Sequence, residues 1–196
     1  LASNGGPLAP LWNQINPTSP VSIELRFGEE GIGAGQMDDP RAIAADDQGN
    51  LYVADYSSGR LQSFDPQGKF RWLANLGDDN YVQALEIARD GALLVVTRGE
   101  LLRFNPADGA ELPAPTFSED YYFEDVSVAP DGRIAAIVDS EDILLLDPGY
   151  RQILYVPAAV SAASRGSALD ADSEIGGLGK LYVLGPVNYS IFKFSP

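Results

Sequence analysis

An all-β fold assembled from repeated antiparallel units is what this sequence predicts, on three observations. Turn glycines recur at Gly49, Gly91, Gly132 and Gly179, with spacings of 42, 41 and 47 residues. Each is flanked by short apolar runs. Four times the chain returns to a similar ending, at Phe64-Asp65-Pro66, Phe104-Asn105-Pro106, Leu146-Asp147-Pro148 and Phe194-Ser195-Pro196. A fixed period near 40 residues marks a repeat architecture, in which neighbouring units bury each other's faces.

Within each unit the first strand is read at 42–45, 85–88, 126–129 and, more weakly, 168–171. The second follows the turn glycine as Leu51-Tyr52-Val53, Leu93-Leu94-Val95-Val96, Ile134-Ala135-Ala136-Ile137-Val138 and Leu181-Tyr182-Val183-Leu184. These runs are too short for helices and are bounded by turn signals. The third strand ends at the proline, which cannot continue a ladder and sets the next turn. A fourth is read at 69–76, 111–117 and 150–156. Four antiparallel strands per roughly 42 residues is the arithmetic of a β-propeller blade. The last unit stops at Pro196 without its fourth strand, while residues 21–27 stand unassigned ahead of the first unit. In Ser22-Ile23-Glu24-Leu25-Arg26-Phe27 apolar and polar residues alternate, as in an outermost strand with one face in water. The expectation is four blades closed into a ring by this N-terminal strand, which would remove an exposed edge. Half of a larger ring made by two subunits is the other architecture that the repeats allow. Residues 1–20, with Pro7, Pro10, Pro17 and Pro20, read as a linker or a strap ahead of a propeller spanning 21–196. The segment 157–180 is long for its place and is expected to hold a short helix at 158–163 before a loop.

Length and composition bound the chemistry. The chain has 196 residues, which suits one core, and a formal charge of −15 from 13 basic and 28 acidic residues. That field repels the phosphate backbone and argues against nucleic acid as a partner. With no His and no Cys, the Ser-His-Asp and Cys-His nucleophile arrangements, His or thiolate zinc sites and disulfides are all excluded. No apolar run approaches the roughly 18–20 residues that span a bilayer, so no membrane insertion by this segment is expected. The chain begins at Leu1 rather than Met, and an extracytoplasmic or secreted setting, as the exposed part of an anchored protein, is the expectation.

The stretch 27–72, reading FGEEGIGAGQMDDPRAIAADDQGNLYVADYSSGRLQSFDPQGKFRW, resembles an NHL repeat. That family's pattern runs from a Phe-Gly start through a Gly-x-Gly loop and a proline to a first strand, a D-x-x-G-N turn, a Y-V-A-D strand and an R-x-Q-x-F-D strand. Later units keep the skeleton, as RDGALLVV with LLRFNPADG, PDGRIAAIV with ILLLDPG, and GLGKLYVL with IFKFSP. The resemblance implies a propeller serving as an interaction module, a ligand sensor on a bacterial membrane protein, an RNA-binding platform, or a lyase or lactonase-like enzyme. RNA binding needs a basic face, which the charge of −15 opposes, and the lyase resemblance rests on histidine ligands that this chain lacks. A lactonase-like hydrolase would hold Ca²⁺ on carboxylate and amide oxygens at the channel mouth. Asp55, Asp125 and Asp139 are the carboxylates to place for that alternative.

Acidic doublets such as Asp38-Asp39 and Asp46-Asp47 carry oxygen ligands that suit Ca²⁺, yet no D-x-D-x-D-G loop with a distal Glu is present. Asp46 and Asp131 read as turn formers, because their side chains bond the local backbone. The loops after the second strands and those between blades should rim one end of the channel. Arg41, Asp55, Tyr56, Arg98, Tyr121, Tyr122 and Asp139 are therefore the candidate binding residues, since Arg and Tyr dominate binding surfaces. The opposing reading is structural, with tyrosines plugging gaps between blades and arginines pairing with nearby acids. The function expected is a non-catalytic binding or scaffold module for a protein or peptide, without a cofactor unless Ca²⁺ binds. The alternatives are the calcium-dependent lactonase-like hydrolase and a structural subunit of a larger surface assembly, with the chain either monomeric or part of that assembly.

Overall fold

The computed structural model describes residues 25–56, 58–77 and 80–159, together with the course of three further strands at 172–175, 181–185 and 190–194. Strands β1 (Glu29–Glu30) and β2 (Gln36–Met37) pair in parallel. The first blade is β3 (Pro40–Ala45), β4 (Leu51–Asp55), β5 (Arg60–Phe64) and β6 (Phe70–Asn75). The second is β7 (Val82–Ile87), β8 (Leu93–Thr97), β9 (Glu100–Phe104) and β10 (Glu111–Leu112). The third is β11 (Phe123–Val128), β12 (Ile134–Val138), β13 (Asp142–Leu146) and β14 (Gln152–Val156). The fourth shows three strands, β15 (Asp172–Ile175), β16 (Leu181–Gly185) and β17 (Ser190–Phe194). Each blade is an antiparallel meander, and the innermost strands β3, β7, β11 and β15 contact one another in that order. The architecture is a β-propeller.

The apolar runs of β8 and β12 exist because the middle strands of the blades are covered on both faces. β5, β8 and β12 are buried along their whole length. Successive side chains of a strand point to opposite faces, so one set packs on the preceding blade and the other on the following one. Tyr52, Leu61 and Trp72 of the first blade pack on Val82, Leu85, Leu93, Val95 and Phe104 of the second. In the same way Leu94, Val96 and Leu101 of the second blade meet Val126, Ile134, Ala136, Leu144 and Leu146 of the third. The Trp72 indole N–H donates to the Pro106 carbonyl at 2.9 Å, so the ring's polar edge is satisfied across the same interface.

The Pro-containing endings have a common mechanism. Asp65 Oδ1 accepts from Gln67 N at 3.0 Å and Lys69 N at 2.8 Å. Asp147 Oδ1 accepts from Gly149 N at 2.8 Å and Arg151 N at 3.0 Å. Asn105 does the same for Ala107 N at 3.0 Å. Asp46 and Asp131 also hold local backbone N–H groups, as turn formers should.

Several expectations are corrected. The inner strands begin earlier than read, because each of the first three carries a bulge at one repeated position, between Pro40 and Ala42, Val82 and Ala84, and Phe123 and Asp125. A bulge breaks the two-residue alternation on which the sequence reading relied. The inner strand of the fourth blade is at Asp172–Ile175, beyond the 168–171 proposed from the sequence. Only Glu111–Leu112 of the fourth segment 111–117 joins the ladder. Pro113 and Pro115, which lack the N–H that a ladder needs, follow at once. Residues 157–159 form a turn, and the rest of the helix expected at 158–163 lies outside the described residues, as do residues 1–20. The closing strand expected at 21–27 is described only from residue 25, and 25–27 belong to no strand. Phe27 stacks on Phe64 of the first blade with ring centroids 5.1 Å apart.

Candidate functional site

The bulges place the rim residues. Arg41 is the extra residue of the first bulge, which lifts its side chain out of the alternation and over the Tyr56 ring, 4.1 Å from the centroid. Asp39 holds the guanidinium there, accepting from Arg41 Nε at 3.0 Å and lying 3.0 Å from Nη2. This hydrogen bond raises the already high pKa of Arg41, keeping the cation in place at any working pH. Tyr56 in turn stacks on Tyr81 of the second blade, with centroids 5.1 Å apart.

The same loop arrangement recurs one blade on. Tyr56 O accepts from Val82 N at 3.3 Å, and Gly99 O accepts from Phe123 N at 2.8 Å, so each second-strand loop is tied to the next blade's inner strand. Arg98 and Asp139 sit at equivalent places with φ of 51° and 53°. For Asp139 the left-handed conformation is tolerable, and its Oδ1 accepts from Tyr122 N at 3.1 Å. For Arg98 it carries a strain of about 1–3 kcal/mol, held by the sheet on either side. Gly99, at φ 80°, lies directly under the Tyr122 ring, and a Cβ there would overlap the ring carbons.

Between the second and third blades these loops open into a groove of about 740 Å³. Arg98, Tyr121, Tyr122 and Asp139 line it, joined by Glu100, Phe117, Glu119 and Asp120. Four of these eight side chains are carboxylates and one is a cation, so the groove is strongly acidic. Tyr121 anchors its floor, stacking among Phe117, Phe123 and Tyr155 at 5.8–6.3 Å and donating its hydroxyl proton to Gln152 Oε1 at 2.9 Å. Burial, and then the nearby charges of Glu119 and Asp139, push the Tyr121 pKa up, so its hydroxyl stays a donor. Behind it Tyr155 donates to Asp142, and that hydrogen bond first, with burial, pushes the Tyr155 pKa up to about 12.

Of the seven candidates, six stand at the rim and one does not. Arg41 and Tyr56 form one cluster, while Arg98, Tyr121, Tyr122 and Asp139 form the other. Because Val82 pairs with Thr97, Tyr81 and Arg98 leave the second blade at the same end. Asp55 lies beneath them, 1% exposed, as the partner of Arg60 in a buried ion pair. It also accepts from Asp38 N at 3.1 Å. Its place as a surface binding residue is thereby corrected, because its oxygens face the interior of the first blade. Among the described residues no three acidic side chains converge as a metal ion would require, Asp55, Asp125 and Asp139 included. Phe117 and the groove's other wall were missed by sequence reasoning. The signal available was Pro113 and Pro115, which take 113–117 out of the ladder and free it to turn towards Tyr121.

Residues 37–64 match the family model of the NHL repeat. A 47-residue stretch is 40% identical to the B-box type zinc finger protein ncl-1 of Caenorhabditis elegans, covering 24% of this chain and 6% of that protein. Another of 74 residues is 44% identical to the E3 ubiquitin-protein ligase TRIM71 of Rattus norvegicus, covering 31% and 9%. The chain thus matches under a tenth of the length of these curated relatives. Among solved structures, virginiamycin B lyase from Staphylococcus aureus superposes with a TM-score of 0.58 at 14% identity, over 81% of this chain and 56% of that one. The computationally designed Ika4 protein superposes with a TM-score of 0.60 at 11% identity, over 88% and 98%. At such identities the likeness is one of fold. The chain is a β-propeller that carries an NHL repeat.

Proposed function

We propose that this propeller is a non-catalytic binding module whose rim takes a basic or mixed segment of a protein partner. The groove between the second and third blades carries the reading. It combines exposed aromatic area on Tyr122 with the carboxylates Glu100, Glu119, Asp120 and Asp139 on a rigid two-blade scaffold. Aromatic side chains supply contact area at low entropic cost, and an acidic lining selects Lys and Arg, by charge and by cation–π contact. The net charge of −15 extends that preference to long range, so association with a basic partner is expected to slow as salt rises. The E3 ubiquitin-protein ligase among the relatives acts on proteins by its name, which accords with a protein ligand here.

The test uses Glu119→Gln with Asp139→Asn, which removes two charges while preserving side-chain shape and the left-handed turn that Asn tolerates. Partners captured from the native source with wild-type protein are titrated against both forms at two salt concentrations. Weaker binding and a shallower salt dependence in the variant are expected. Equal affinity and equal salt dependence would show that the groove is not the binding face.

A further inference from the structure

The fourth strand of the second blade is cut short, and a second cavity opens beside the gap. In the first blade β6 pairs with β5 from Arg60 to Phe64, whereas β10 pairs with β9 only at Arg103 and Phe104. The rim half of β9 therefore has no outer strand paired with it. There, between the first and second blades, lies a crevice of about 440 Å³. Residues directly opposite in a ladder share a face, and Thr97 stands opposite Glu100, Val95 opposite Leu102, and Phe104 opposite Glu111. Val95 and Phe104 pack on the first blade, so Thr97, Glu100, Leu102 and Glu111 all turn the same way. Ala74 and Leu76 line the crevice from the first blade.

This crevice grades from charged to buried. Glu100 and Glu111 are exposed, while Thr97 is 2% exposed and its Oγ1 has no hydrogen-bond partner among the described residues. Native interiors leave few buried hydroxyls unmatched. No Lys or Arg among the described residues lines the crevice, so its two carboxylates lack a cation. We infer that it is a binding site for a small amino alcohol, an alkylammonium that carries a neutral hydroxyl. The ammonium pairs with Glu100 and Glu111, where water still reaches the charges, and the alkyl chain lies on Leu76 and Leu102. The ligand's hydroxyl exchanges a hydrogen bond with Thr97 Oγ1, and a neutral group is favoured there because a charge carried to that depth sheds its water. The volume is within the range of small-molecule sites. Glu100 also lines the groove between the second and third blades, but Thr97 and Glu111 do not, so substitution separates the two sites.

The experiment is titration calorimetry with ω-amino alcohols from ethanolamine to 6-aminohexan-1-ol, beside the matched alkylamines and alkanediols, on wild type, Thr97→Val, Glu111→Gln and Glu119→Gln. At least one amino alcohol is expected to bind wild type saturably at a single site, and about tenfold more weakly when either its ammonium or its hydroxyl is missing. Glu111→Gln should weaken that binding about tenfold, whereas Glu119→Gln, which touches the groove and not the crevice, should leave it unchanged. In Thr97→Val the preference for the amino alcohol over the alkylamine should vanish. Its melting temperature should be no lower than that of wild type, because the substitution removes a buried hydroxyl that had no partner. The absence of saturable binding, equal binding of the diols, or a preference that survives Thr97→Val would overturn the inference. So would a lowered melting temperature in Thr97→Val, which would make the hydroxyl structural, or a loss of binding in Glu119→Gln alone, which would put the amine in the groove.

Discussion

Removing the Asp55 carboxylate should destabilise the protein through a charge left behind. Asp55 and Arg60 are 1% and 6% exposed, at the rim end of β4 and β5, where they face each other in register. The guanidinium also donates to Gly31 O at 3.0 Å and Ser58 Oγ at 3.1 Å, so it ties the first blade to the segment that covers it. In Asp55→Ala the buried cation keeps those two neutral acceptors and loses its anion, a change that costs about 3–5 kcal/mol. Replacing both partners, as Asp55→Ala with Arg60→Leu, removes the stranded charge but leaves Gly31 O and Asp38 N without partners, at about 1 kcal/mol each. The double variant should therefore recover about 2 kcal/mol relative to Asp55→Ala alone. Urea unfolding followed by the fluorescence of Trp72, which is buried between the first two blades, reads each value. In thermal melts the single variant should lose roughly 10 °C, at about 2–4 °C per kcal/mol for a chain of this size. An Asp55→Ala protein within about 1 kcal/mol of wild type, or strict additivity in the cycle, would refute the stranded-charge argument. Unchanged stability together with loss of a calcium-dependent hydrolytic activity would return Asp55 to the functional carboxylates.

Three further outcomes are expected. Gly99→Ala should cost about 1–3 kcal/mol in thermal or urea unfolding, because φ is 80° there and the new methyl meets the Tyr122 ring; a neutral result would mean that the rim loop is free to move. At acid pH, backbone hydrogen bonds, from Arg133 to Asp131 and from Arg151 to Asp147, hold both carboxyls below their ordinary value of 3.8. Their contribution is present above that value and is lost as pH falls through the lower folded values, so Asp147→Asn should flatten the acid limb of a melting-temperature profile. At alkaline pH, burial first, with Asp46 and Asp90 adding respectively, pushes Tyr52 and Tyr150 up to about 12 from 10.0. Stability should be complete below 10.0 and fall as pH rises towards 12, and the absorbance difference between wild type and Tyr52→Phe or Tyr150→Phe should show these two hydroxyls ionising only as the protein unfolds; early titration of either hydroxyl in the folded state would contradict this.

Much of the candidate site was legible because it follows the repeat. Tyr56, Arg98 and Asp139 fall one residue or less beyond the second strands, and any chain that turns there must present them at the same end of the blades. Asp55, one residue earlier, looks identical in the sequence, and only the neighbouring strand shows that Arg60 takes its carboxylate inside. The position of Arg41 depended on a bulge, which inserts a residue without leaving a mark on composition. The acidic groove needed two events together, the failure of 113–117 to pair and the approach of Tyr121 from the third blade, which lies in a different repeat from the second-blade residues across from it.

The sequence by itself determined the all-β class, the four repeats, the strand order within each and the Asx-stabilised turns, because these rest on interactions a few residues apart and on the two-residue period of a strand. Tertiary structure alone decided which face of each strand meets which blade, which carboxylates are buried, and that Ile43 is exposed while Leu85 and Val126 are buried. Those outcomes depend on the angle between successive blades. That angle is set by the summed volume of side chains such as Tyr52, Trp72, Leu94 and Leu144 at the interfaces, not by any single residue or spacing.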